Sequence, residues 1–183
     1  MAEYYLISQL PSLDGIGENT PVPITEERFL ELCNRFLGKK ALHQLKSIKL
    51  VPPIDAEKSS SPLIENWNNG ERNLRLALAK VRADKTKKPF DLKNRYLPAE
   101  LFKAASTAVE TENPLEAEKF LLQYRLGFLE TIRPTDNFSE DFIFYYGLKL
   151  RLILRIRQFD AKAGEAIYKN IYNSILNGDR LEA

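Results

Sequence analysis

The chain holds one cysteine, Cys33, and one histidine, His43. A lone thiol makes no internal disulfide, and a zinc site needs three or four ligands that no spacing in this sequence supplies. A histidine-based hydrolytic triad has only His43 to draw on, and it sits in the lysine-rich amphipathic segment "KALHQLKSIKL". Glycine is also sparse, at eight residues. Gly15, Ile16 and Gly17 are followed by neither a third glycine nor a Gly-Lys-Ser/Thr ending, and Pro21 and Pro23 interrupt any helix, so no phosphate-binding loop is read there. A membrane span needs about twenty mostly apolar residues. The nearest approach, "FYYGLKLRLILRIRQF" from Phe144 to Phe159, is broken by Lys149, Arg151, Arg155 and Arg157. The opening "MAEYYLISQL" has neither a basic start nor a small-residue cleavage site, which predicts a protein kept in the reducing cytoplasm. Together these absences predict a non-catalytic protein with no cofactor and no metal.

What is present favours helix. Hydrophobic residues make up 44% and charged residues 28%, ordinary for a folded protein and too apolar for wholesale disorder. At 183 residues the chain can bury roughly two thirds of its unfolded surface. The fold class is mainly α, a bundle of about seven helices, with a short N-terminal strand read from the aromatic and apolar run "EYYLISQLP". Helix starts are marked by Thr25 before two glutamates, by Ser61 and Pro62, by Asn113 and Pro114, and by Ser139. Cys33 lies in a stripe with Phe29, Leu32, Phe36 and Leu37, which makes it core rather than nucleophile. The helix carrying Leu63, Ile64 and Trp67 is expected to break at "NNG" and resume through Leu74, Leu78 and Val81. A last helix is read in "FDAKAGEAIYKNIYNSILNG". The whole chain, 1–183, reads as one helical domain, with a division into two lobes near 84–97.

Charge is unevenly laid out. The stretch from Lys80 to Arg95 holds seven bases against two acids, and the stretch from Phe144 to Phe159 holds four bases and no acid, so the remainder of the chain is net acidic. Two basic regions on an acidic body point to an oriented partner surface. On a helical wheel Phe142, Tyr145, Leu148, Leu152 and Ile156 share one face while Arg151 and Arg155 line another. Leu150 and Leu154 fall outside both, so this helix needs cover on more than one side, from its own bundle or from a partner. The candidate partner-binding residues are Arg151, Arg155 and Arg157, with Lys85, Lys87, Lys88 and Arg95. Two alternatives stand beside this. The three arginines are internal donors to helices bearing Glu112, Glu116 and Glu118, or the Lys80 to Arg95 patch serves a nucleic-acid-binding or other scaffold protein.

The stretches "EYYLISQLPSL", "FLELC", "NPLEAEKFLLQYRLGFLE", "FIFYYGLKLRLILRIRQF" and "GEAIYKNIY" together resemble an uncharacterised bacterial family (domain of unknown function 2764) whose genes accompany V-type ATPase subunits. The resemblance implies a cytoplasmic component of a rotary ATPase, held at the inner face of the membrane through partner subunits. The role it suggests is that of the all-helical C subunit, a socket joining the rotor axle to the membrane ring. This chain is shorter than a typical three-lobed C subunit and has no visible repeat. The family carries over no catalytic residues.

Overall fold

Four helices begin on side chains that accept a hydrogen bond from their own first turn. Thr25 accepts from the Arg28 amide, Ser61 from Ile64, Asn113 from Leu115 and Ser139 from Phe142. Each satisfies one of the donors that a helix start leaves without an intrahelical partner. The computed structural model describes residues 2–16, 20–53, 59–92, 95–158, 168–169 and 171–174. Among them, seven helices follow in order: α1 (Ala2–Gln9), α2 (Glu26–Phe36), α3 (Lys39–Ser47), α4 (Pro62–Lys85), α5 (Ala99–Glu110), α6 (Pro114–Thr131) and α7 (Glu140–Arg157). Residues 168–169 and 171–174 are helical as well, and the rest of the expected final helix lies outside the described residues.

Two expectations are corrected. The N-terminal segment is a helix, not a strand, and no strand occurs among the described residues. Leu6 is fully buried, Ile7 and Leu10 pack beside it, and Tyr4 and Tyr5 stay exposed. That spacing of six, seven and ten is a helical face, and an isolated strand would leave its backbone donors without a ladder. Nor does "NNG" break the fourth helix, since α4 runs unbroken through Asn68, Asn69 and Gly70. Asn68 is buried, and Gly70 lies where α6 brings the Phe128 ring against the α4 backbone. Tertiary packing outweighs the weak local preference for a turn there.

Two apolar clusters divide the interior. The larger gathers α1, α2, α3, the first half of α4, the second half of α6 and α7, around Trp67, Phe29, Phe144 and Leu148. The smaller joins the second half of α4 to α5 and the first half of α6 through Leu74, Ala77, Ala105 and Leu121, and Leu97 closes it. Helices α4 and α6 therefore run through both clusters, and the segment after α4 packs Leu92 and Leu97 into the second. Helix α7 is the centre of the first cluster: every residue from Ile143 to Leu150 is buried, and so are Leu152 and Ile153. It packs against α2, α3, α4 and α6. The all-round apolar pattern of "FYYGLKLRLIL" is thus covered by the chain's own helices, each fully buried large side chain contributing about 1.5–3 kcal/mol.

Trp67 is core as well, 1% exposed, with its indole donating to the Lys49 carbonyl at 3.2 Å. Ser61 ties the starts of two helices together. Its hydroxyl caps α4 and donates to the Asp141 carboxylate in the first turn of α7 at 2.6 Å.

Candidate functional site

The predicted arginines cluster at the C-terminal end of α7. There the helix faces the start of α2 across an open cleft of about 600 Å³, lined by apolar Val22, Ile24, Leu50 and Leu154 and by the charged Glu26, Glu27, Arg151, Arg155 and Arg157. Arg151 turns inward. Its Nε lies 2.7 Å from Glu26 Oε1, and its Nη1 donates to the Ile48 carbonyl at 2.7 Å. The carboxylate it meets is therefore Glu26, at the N-terminus of α2, and not Glu112, Glu116 or Glu118. A glutamate at that helix end is already favoured by the helix dipole, so the pair ties α7 to α2 at low cost. Arg157 donates to the Thr20 carbonyl. Arg155 is exposed and donates to Gln158 Oε1 at 3.1 Å within its own turn.

The second predicted group follows α4. The helix ends in a Schellman turn: the Lys87 amide donates to the Asp84 carbonyl at 3.1 Å and the Lys88 amide to the Ala83 carbonyl at 2.9 Å. Lys87 occupies the left-handed position with φ 54, which is glycine's usual place. Lys85, Lys87, Lys88 and Arg95 are all exposed, and the Lys85 ammonium reaches the Val109 carbonyl at 3.1 Å. Lys80 is held by Asp84 at 2.8 Å. Because a β-carbon in this conformation costs about 1–2 kcal/mol, Lys87→Gly is expected to raise stability by about 1 kcal/mol, measured as a higher urea midpoint at constant slope.

A third group gathers around a buried lysine on α7. Lys149, counted among the basic residues of the quoted stretch, is 8% exposed. Its ammonium lies 2.5 Å from Asp14, 2.8 Å from Glu130 and 3.3 Å from the Tyr145 hydroxyl, which itself donates to Glu130 at 2.7 Å. Arg133 stacks over the Phe142 and Tyr145 rings at 5.7 and 5.6 Å. Burial disfavours the charge on Lys149, but hydrogen bonds to Asp14, Glu130 and Tyr145 outweigh it and raise its pKa. Asp14 is held below the usual carboxylate range chiefly by its bond to Lys149. At Glu130 burial acts upward, and bonds from Lys149 and Tyr145 overcome it, so its pKa is lowered too.

The linkage sign follows from those directions. The carboxylates contribute stability above their ordinary values near ~4, and that contribution is lost as pH falls through their depressed folded values. The Lys149 contribution is present below its ordinary value near ~10.4 and is lost as pH rises through its raised folded value. Urea midpoints measured against pH are therefore expected to fall at both ends. Lys149→Met should flatten the acid limb.

A fourth group lies deeper. Glu71, 2% exposed, accepts two hydrogen bonds from Arg125, at 2.9 Å each, and lies 3.5 Å from Arg75 Nε. Arg75 in turn donates to the Pro52 carbonyl at 2.5 Å. Spacing could have found Glu71, because it falls four residues after Trp67 and three before Leu74 on the apolar stripe of α4. Lys149 likewise falls four after Tyr145.

Burial pushes the Cys33 thiol up to about 12, and Cys33 lies in the first cluster. His43 is exposed on α3. Among the described residues no group of three or more His, Cys, Asp and Glu side chains converges as a metal site would require, and no helix is long and apolar enough to cross a membrane.

The class these features define is a helical bundle tied by ion pairs between its segments, with an exposed basic segment after α4. Residues 89–179 match a family described as a protein of unknown function (DUF2764). The matched stretch takes in the end of the basic loop, α5, α6 and α7, and leaves the segments "EYYLISQLPSL" and "FLELC" outside it. No curated protein and no solved structure matches the chain.

Proposed function

We propose that this protein is a non-catalytic helical subunit or accessory protein of a V-type rotary ATPase, seated peripherally at the inner face of the membrane as a socket between rotor axle and membrane ring. The observation that supports it most is the division of labour among the cations. Arg151 and Lys149 are held by carboxylates from earlier segments of the chain, while Arg155, bonded within its own turn to Gln158, presents exposed charge beside the cleft at the end of α7. A docking surface needs such fixed, oriented charge, which steers encounter and sets register with an acidic partner. The ATPase itself enters through the family resemblance alone.

Two charge reversals test the reading. Arg155→Glu is expected to abolish binding to the purified rotary complex while leaving the melting temperature within about 1 °C, as exposed substitutions do. Arg151→Glu is expected to lower the melting temperature, because it sets a carboxylate against Glu26. If Arg155→Glu binds like the wild type, the cleft is not the docking surface.

A further inference from the structure

We propose that Lys87, Lys88, Arg95 and Tyr96, in the loop after α4, form a second, separate contact surface, one that docks on an anionic phospholipid headgroup layer. The loop is anchored at both ends. The Schellman turn fixes its start, and Leu92 and the buried Leu97 hold its far side in the second apolar cluster. Among the described residues between these anchors, two kinds of exposed side chain suit a lipid surface. Lys87, Lys88 and Arg95 are cations, joined by Arg82 and Lys85 from the last turns of α4. Tyr96 is 91% exposed, the largest value among the exposed large hydrophobic side chains. The stretch has two acids, Asp84, which is paired with Lys80, and Asp91.

This combination is what a bilayer surface recognises. Lysine and arginine meet lipid phosphates, and a tyrosine places its ring at headgroup level with its hydroxyl in water. A single-stranded nucleic acid needs a groove that tracks the backbone and successive rings for stacking. Here Phe90 is partly buried, leaving Tyr96 as the exposed ring of the loop, and the open depression lined by Lys80, Asp84, Lys87, Lys88, Phe90 and Asp91 mixes cations with two carboxylates rather than forming a basic groove. The left-handed lysine adds a second observation. A lysine at φ 54 keeps a backbone cost that glycine would remove, and such outliers gather at functional sites. The inference does not depend on the ATPase, because it concerns lipid and a surface on the other apolar cluster from Arg155.

The test is co-sedimentation of the full chain with vesicles of phosphatidylcholine alone, and of equal parts phosphatidylcholine and phosphatidylserine. The chain should pellet with the anionic vesicles at low salt, release as salt rises, and stay in solution with the neutral ones. Each basic residue at a membrane surface is worth about 1 kcal/mol, about fivefold, so Lys87→Gln with Lys88→Gln should weaken binding about thirtyfold at an unchanged melting temperature. Tyr96→Ala should weaken it several-fold without altering the salt dependence. No pelleting with anionic vesicles at low salt would overturn the proposal. So would equal pelleting with neutral ones, a double variant that pellets like the wild type, or a single-stranded oligonucleotide that binds more tightly and displaces the vesicles.

Discussion

Glu71→Gln is expected to lower the free energy of unfolding by about 3–5 kcal/mol, because it leaves the Arg125 guanidinium in a largely buried site without its counter-charge. Burial at Arg125 acts against the charge, and the bonds and field of Glu71 overcome it to raise the pKa, so the pair stands or falls together. The loss should far exceed that of an exposed pair such as Arg28 with Glu31, where values near ~0.2–1 kcal/mol apply. Replacing both partners by apolar residues, Glu71→Met with Arg125→Leu, is expected to recover most of the stability, since a well-packed apolar pair often matches a buried ion pair. Urea denaturation of the two singles and the double gives the coupling directly. A Glu71→Gln variant as stable as the wild type would show that the pair contributes nothing.

Gly70→Ala is the second large effect, and its sign needs two magnitudes. Alanine gains up to about 1 kcal/mol over glycine inside a helix. Here, however, the added β-carbon would lie 2.3 Å from two atoms of the Phe128 ring. That ring also packs against Trp67, at 6.3 Å between centroids, so it has little room to retreat. Overpacking of this kind costs about 1–3 kcal/mol. The clash is expected to win, with a melting temperature several degrees lower, and Phe128→Leu in the same chain should restore part of the loss. A stabilised Gly70→Ala would mean that α4 and α6 separate easily at this crossing.

The contrast between these two sites and the helix starts explains what could be read from sequence. Thr25, Ser61, Asn113 and Ser139 act within four residues of themselves, so their caps were legible. Gly70 and Glu71 belong to "NNGE", which reads as a break because its local chemistry favours a turn. Only Phe128 and Arg125, more than fifty residues away, reveal why the helix continues. The same holds for α1, where a short aromatic run suits either element until Leu6, Ile7 and Leu10 meet the core. Formal charge misled at Lys149. It falls in a run of bases, yet its side chain is buried and its ammonium meets the exposed carboxylates of Asp14 and Glu130. Among the candidate contact residues, Arg155, Lys87, Lys88 and Arg95 are where a partner could reach them, and Arg151 is drawn to Glu26 by a helix end that the sequence places 125 residues earlier.

The measurement that bears most directly on a docking role is recovery of the tagged, full-length chain from its own host in mild detergent, with co-purifying proteins identified by mass spectrometry. Wild-type protein should bring down subunits of a V-type ATPase at near-stoichiometric levels, and Arg155→Glu, equally abundant and equally stable, should lose them. Recovery of the wild-type chain alone, with the ATPase intact in the unbound fraction, would contradict the account.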